Sequence, residues 1–272
     1  MSLNRPIYKL RDWVDNDKLD WDMLSFNKNA IDLLKENPDK INWINLSRNS
    51  NAINLLEQNL NKIDWYNLSE NKNAIHLLYK NQEKINWKYL SNNKNAINLL
   101  KENLENIYWI YLSFNENAID LLKENPEKIN WNFLSYNKNA IKLLEKKQEK
   151  INWSFLSENI NAIDLLKENP EDINWDSFSG NKNAIDLLKE NPERINWYYL
   201  SSNKNAIKLL EKQQDKINWY IISSNSSIFE LDYEKMRINN QEMYEELIKE
   251  VMKPSRVFKN PDYDYLEELF GD

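Results

Sequence analysis

The stretch WIYLSFNENAIDLLKENPEKINW, residues 109–131, contains the plan of most of the chain. It begins and ends on tryptophan, and the tryptophan keeps returning: Trp21, Trp43, Trp65, Trp87, Trp109, Trp131, Trp153, Trp175, Trp197 and Trp219 stand 22 residues apart without insertion or deletion. With the tryptophan as position 0, serine occupies +4 and asparagine +6 in all ten copies, from Ser25 and Asn27 to Ser223 and Asn225. Ala-Ile at +9 and +10 holds in nine copies, Ala30-Ile31 to Ala206-Ile207, and Leu-Leu follows at +12 and +13. Self-similarity at so short a period belongs to repeat architectures, in which each unit covers its apolar face with its neighbours.

Two helices fit in one period. The first runs from Trp(0) to +5, with the preceding asparagine or aspartate (Asn42, Asp64) as N-cap; Tyr108 is the residue that breaks the cap. So short a helix cannot nucleate alone and depends on the packing of Trp and Leu. The second is an amphipathic helix of about ten residues. Positions +9, +10, +12 and +13 form its apolar face, while +7, +11, +14, +15 and +18 carry charge on an outer face, as in Lys28, Asp32, Lys35 and Glu36. Asn(+6) is read as its N-cap, and Pro38, Pro126, Pro170 and Pro192 at +17 as its stop. The ladder of Ser(+4), Asn(+6), Asn(+8) and Asn(+16) is assigned to capping and turn closure. A β-solenoid competes at this period, but valine and threonine are nearly absent and glycine occurs only at Gly180 and Gly271.

The expected fold is therefore all-α, an elongated α-solenoid of 22-residue helix-turn-helix repeats. Residues 1–20 read as an N-terminal cap, a degenerate half-unit built on Tyr8, Leu10, Trp13, Val14 and Leu19. The solenoid of nine full repeats and a partial tenth covers 21–227, and 228–272 read as a C-terminal helical cap with an acidic tail. A longer helix is expected there from about residue 240 to 252, with Met243, Leu247 and Val251 on one face, followed by an acidic amphipathic segment at 262–270.

Copies such as 109–131 and 175–197 resemble the tandem-repeat proteins of giant nucleocytoplasmic DNA viruses, and the flanks agree. The entry Asp12-Trp13 to Lys18-Leu19-Asp20-Trp21 and the exit Ile228-Phe229-Glu230-Leu231-Asp232-Tyr233, with Lys253-Pro254-Ser255-Arg256-Val257, are similar to that group's ends, so the resemblance spans roughly residues 8–258. It implies a viral protein acting in an infected host, in a group whose role is uncharacterised, and brings no catalytic residues. Many members of that group carry proline at +7, where this chain has mostly lysine.

Composition excludes several functions. Without cysteine there are no disulfides or thiolate metal sites, and with two glycines there is no glycine-rich phosphate loop. His76 is the one histidine, at the outer position +11. Carboxylate pairs such as Glu168 and Glu171 have no converging partners and read as solvated charge, so neither catalysis nor a cofactor nor a metal is expected. No apolar run is long enough for a membrane span, and residues 1–6 lack a signal peptide's apolar core, so the expected location is the host cytoplasm or the virion. The formal charge of −7 is concentrated in residues 228–272, with 12 acidic and 6 basic residues, leaving the array near neutral. That speaks against nucleic-acid binding by phosphate neutralisation.

Function is expected where the sequence varies against a fixed frame. Positions +1 and +5 lie four apart on one face of the first helix, away from Trp(0), Leu(+3) and Ser(+4). On that face Phe26, Arg48, Tyr66, Ile110, Phe114, Tyr136 and Tyr198 are the candidate residues for binding a host or viral protein partner, with Ile110, Phe114 and Tyr136 the centre of an apolar patch. The aromatic residues at +2 (Tyr89, Tyr111, Phe133, Phe155, Tyr199) and the tryptophans read as packing. The expected role is a non-enzymatic interaction scaffold; a minor structural protein of the virion or viral factory is the alternative, and a one-base-per-repeat nucleic-acid reader ranks below both.

Overall fold

A computed structural model describes residues 6–252. The acidic segment at 262–270 and the side chains of Met243, Leu247 and Val251 lie outside what it describes. The chain divides into two units, one of residues 10–229 and one of residues 1–9 with 230–272.

The unit of residues 10–229 is the all-α solenoid, and its first helices have the expected bounds, Trp21–Phe26, Trp43–Arg48 and onwards. Each starts where the side chain at −1 accepts the backbone N–H of +2, as Asp20 does from Met23 at 2.8 Å and Asn130 from Phe133 at 3.2 Å. Tyr108 offers no such bond, and its helix Trp109–Phe114 begins uncapped. Because Tyr108 is 52% exposed, replacing it removes little packing. Tyr108→Asn should raise the free energy of unfolding by about 1 kcal/mol, seen as a higher denaturant midpoint at unchanged slope.

The first helix stops at Asn(+6), whose backbone is extended (Asn27, φ −73°, ψ 120°). This asparagine does not cap the second helix as expected. Its oxygen takes the N–H of Asn(+8), 3.1 Å from Asn29, and closes a turn. The second helix then spans only six residues, Ile31–Glu36, and begins at Ala30 with no side-chain cap. It ends on Asn(+16), where Asn37 donates its Nδ2 to the Leu33 carbonyl at 3.0 Å. A separate 3-10 turn, Pro38–Lys40, follows, with proline at its first position, where the missing N–H costs nothing. Each unit thus has three short helical segments where the sequence suggested two, because Asn(+16) and Pro(+17) break the long amphipathic stretch.

Three columns run through the core: Leu(+3), replaced by Phe178 and Ile222 in two units, Ala(+9) and the second leucine at +13 are at most 1% exposed from unit to unit. Each buried leucine contributes about 1.5–3 kcal/mol. The tryptophans are half-buried rather than enclosed. Eight of the ten tryptophan rings are faced by the cation three residues before the next tryptophan in space, as Lys40 faces Trp21 at 4.3 Å and Lys128 faces Trp109 at 4.4 Å, which contributes about 0.5–1 kcal/mol. Trp87 and Trp153 have Asn106 and Asp172 at that place.

The polar ladder is structural, as expected, but it acts between units more than within them. Ser25 Oγ donates to its own helix at the Trp21 carbonyl (2.9 Å) and accepts the Asn42 N–H of the next unit (2.9 Å). Asn49 Nδ2 donates to the carbonyls of Ser25 (3.0 Å) and Asn27 (2.9 Å), and Asn51 Nδ2 to that of Lys28 (3.0 Å). Every Ser(+4) and Asn(+6) is at most 1% exposed. Three short helices leave many backbone groups unpaired at their ends; here the neighbouring unit satisfies them.

The solenoid is not elongated. The unit of Trp219 is followed in space by the unit of Trp21, through the same bonds that join consecutive units. Asp20 N–H donates to Ser223 Oγ (2.9 Å), Asn27 Nδ2 to the Ser223 carbonyl (2.8 Å), and Asn29 Nδ2 to the Ser226 carbonyl (3.0 Å). Lys18 faces the Trp219 ring at 5.1 Å, as Lys40 faces Trp21. Arg11 adds its N–H to the Ile228 carbonyl at 2.9 Å and its Nε to the Ser227 carbonyl at 2.8 Å. A head-to-tail contact repeated with a constant step either winds into an open helix or closes, and closure requires the rotation per step to divide the circle. Ten units, each turning by one tenth of a circle, close residues 10–229 into a ring. The two termini of the array cap each other.

In the smaller unit, residue 7 accepts the N–H of Asp232 at 2.9 Å and Lys9 pairs with Glu230 at 3.6 Å. These contacts belong to a two-stranded sheet of β1 (Tyr8–Leu10) and β2 (Phe229–Leu231), antiparallel because residue 11 bonds 228 while 7 bonds 232. The C-terminal helix is longer than expected, Tyr233–Val251, and starts where Asp232 accepts the N–H of Lys235 at 2.9 Å.

Candidate functional site

The face of the first helix that carries +1, +2 and +5 is the concave face of the ring. Its +5 side chains Phe26, Arg48 and Phe114 line one cavity of about 290 Å³ together with the +7 residues Lys28, Lys72 and Lys94, all from five consecutive units. Aromatic side chains from successive units touch along the same face. Tyr66 meets Tyr89 at 4.4 Å between ring centroids, Phe114 meets Phe133 at 4.5 Å and Tyr136 at 5.2 Å, and Phe114 reaches Phe155 two units away at 6.4 Å. Contact across two units is possible only on the inside of the curve.

The candidate partner-binding residues divide within this face. Phe26, Arg48 and Phe114 lie in the cavity wall, and Tyr136 stands beside Phe114. Arg48 forms an ion pair with Glu70, its neighbour in register, and faces the Phe26 ring at 5.7 Å. Tyr66, Ile110 and Tyr198 at +1 are 46%, 50% and 49% exposed. Phe114 is held in an aromatic cluster, so the expected patch of Ile110, Phe114 and Tyr136 is part surface and part packing. Ring closure brings together what the linear sequence separates: Tyr198 and Tyr220 of the last two units join Ile44, Tyr66 and Ile110 of the first five on one arc. The +1 residues of the remaining units are Asn132, Ser154 and Asp176.

Position +7 was expected on the solvated outer face of the second helix. It lies in the turn before that helix, and the closed ring directs it inwards. Six of its ten residues are lysine (Lys28, Lys72, Lys94, Lys138, Lys182 and Lys204), and Glu116 is the one acid. Glu116 is bonded by Lys94 at 2.7 Å and by Lys138. Burial pushes its carboxyl up, but the two ammoniums outweigh this and hold it below the usual range. Among the described residues, Lys28, Lys72, Lys182 and Lys204 have no carboxylate within 4.0 Å. Burial lowers the Lys28 pKa, and the ammoniums of Lys204, Lys72, Lys94 and Lys182 lower it further. Units on both sides of Lys28 therefore present their charge to it, which only a closed array allows. Lys204 is lowered by burial and by Lys182. The charged forms are disfavoured in the fold, so these lysines cost stability at neutral pH, and the cost lifts as pH rises through the lowered values towards 10.5.

The near-neutral array thus conceals a basic interior. The sequence did carry a signal: +11, +14 and +15 mix acids and bases from copy to copy, whereas +7 is lysine with a single glutamate. Outside the cavity, His76 is exposed and shares a hydrogen bond with Glu57 at 2.8 Å. Among the described residues no group of three or more His, Cys, Asp or Glu could hold a metal, and no helix is long and apolar enough to cross a membrane. Comparison of the chain with protein-family models, with curated proteins and with solved structures finds no match.

Proposed function

We propose that the protein is a non-enzymatic interaction scaffold of viral origin, acting in the host cytoplasm or the virion, whose ring binds a protein partner along one arc of its concave face. One observation carries this reading: five large apolar +1 side chains, Ile44, Tyr66, Ile110, Tyr198 and Tyr220, are 46–55% exposed and share the arc running from the ninth unit through the closure to the fifth. Asp22 and Lys88 are the two charged +1 residues within that arc, and all three units of the opposite arc have polar residues at +1. Aromatic side chains that are exposed and already ordered by a rigid frame lose little entropy on binding, which is why they dominate interface hot spots. Their neighbours at +2 and +5 are held by ring-ring contacts and supply that frame. Ile44, Ile110 and Tyr198 are about half exposed, and the bonds linking the polar +1 residues to the next unit are themselves exposed, so substitutions at +1 should leave the ring folded.

The test compares the two arcs. Ile44→Lys, Ile110→Lys and Tyr198→Lys together should abolish capture of the partner from infected cells while leaving the unfolding midpoint within about 1 kcal/mol of the parent protein. Asn132→Lys, Ser154→Lys and Asp176→Lys together should leave capture intact. Equal capture by both variants would place the partner elsewhere.

A further inference from the structure

We propose that the lysines converging at +7 form a binding site for one compact polyphosphate anion inside the ring. This rests on the cavity and on which lysines are partnered, and stands apart from the protein-binding arc at +1.

Four observations support it. First, like charges are brought together at a cost that the fold does not require: +7 is serine in two units (Ser50 and Ser226) and isoleucine in another (Ile160), and those units keep the same inter-unit bonds. The lysines are therefore not needed for the frame. Second, the two lysines that flank Glu116 share its one negative charge, while Lys28, Lys72, Lys182 and Lys204 have no carboxylate within 4.0 Å among the described residues. Their ammoniums are strong donors with no carboxylate partner among the described residues, and Lys28 and Lys72 stand in the cavity wall. Third, the Lys28 pKa is lowered by burial and then by the ammoniums of Lys204, Lys72, Lys94 and Lys182, so lysines from units on both sides of the closure act on Lys28. A bound anion would relieve that repulsion. Fourth, the cavity lined by Lys28, Lys72, Lys94 and Arg48, with Glu70 and Glu116 paired to Arg48 and Lys94 in the same wall, measures about 290 Å³, at the lower edge of the range of roughly 300–1,000 Å³ for small-molecule sites. That suits an anion of a few linked phosphate groups and excludes a nucleic-acid duplex. Aromatic side chains of the same face meet one another edge-on or tilted, with centroids 4.4–5.5 Å apart for Tyr66 and Tyr89, Phe114 and Phe133, and Phe133 and Phe155. They are engaged rather than open for the base-by-base stacking by which single strands are held.

The experiment is calorimetric titration of the full chain with inorganic tripolyphosphate at low ionic strength, with ATP and a short single-stranded RNA as parallel ligands. One tripolyphosphate per chain should bind, with affinity falling as salt rises. Lys28→Ser, Lys72→Ser and Lys204→Ser together, each introducing the residue already present at +7 in two units, should weaken binding by about a hundredfold, the scale of losing charge-assisted hydrogen bonds. The same variant should melt no lower than the parent, since repulsion is removed. The outer-face pair Lys123→Ser and Lys189→Ser should bind as the parent does. ATP binding as tightly as tripolyphosphate would support recognition of the phosphate chain. No binding, or binding unchanged in the triple-serine variant, would overturn the site. RNA binding more tightly than tripolyphosphate, and lost in that variant, would overturn the compact anion in favour of a single strand.

Discussion

Asn137→Ala is expected to destabilise the protein by about 4 kcal/mol. The Asn137 side chain donates to the carbonyls of Ser113 (3.1 Å) and Asn115 (2.8 Å) in the preceding unit, and accepts the N–H of Asn139 (3.0 Å). The residue is 1% exposed, so water cannot replace it. Truncation leaves the Ser113 carbonyl and the Asn139 N–H without these bonds, while the Asn115 carbonyl keeps the Ala118 N–H at 3.0 Å, and a buried group deprived of its partner costs about 1–3 kcal/mol. Equilibrium denaturation provides the measurement. A loss under about 2 kcal/mol would mean that water or a backbone shift repairs the seam.

A second substitution of comparable size tests the ring itself. Asn27→Asp should cost on the order of 4 kcal/mol, because it turns the donor that faces the Ser223 carbonyl at 2.8 Å into a buried carboxylate facing the same oxygen. The turn bond from the Asn29 N–H can persist, since either side chain accepts it. In an open rod, residue 27 would belong to the terminal unit, its amide would meet water, and the change would be near neutral. In the ring Asn27 makes one of the two carbonyl bonds that Asn137 makes, so Asn27→Asp should cost at least half of what Asn137→Asp costs rather than nothing. Denaturation of the two variants side by side decides between the two architectures.

The value of closure lies in the ends it removes. Open solenoids need terminal units with a polar outer face, and their ends fray first. Here Asp20 and Asn27 meet Ser223 as Asn42 and Asn49 meet Ser25. The residues read as an N-terminal cap serve partly to complete that seam: Lys18 covers Trp219, and Arg11 reaches the carbonyls of Ser227 and Ile228.

Much of the local structure was legible. Asn or Asp at −1 marked the start of each first helix, Tyr108 marked the one without a cap, and Leu(+3) and Ala(+9) marked the core. These depend on neighbours in sequence and on periodicity. The second helix was drawn too long because Asn(+6) has the residue type of an N-cap, while its side chain is used by the preceding unit and its own backbone is extended. That +1 and +5 share one face of the first helix was legible from their spacing; that +5 lines a cavity while Ile44, Tyr66 and Ile110 at +1 stand half exposed was not.

By itself the sequence determined the 22-residue unit, its helices and the fact that each unit must pack on the next, since one period cannot bury its own apolar face. Only the tertiary structure decided that ten such steps close. Closure depends on the small rotation between units, the sum of packing geometries at +3, +4, +6, +9 and +13, and no single position encodes that angle. The consequence falls on lysine +7. As a residue type it belongs to a solvated surface, and closure of the ring makes it the charged lining of a cavity.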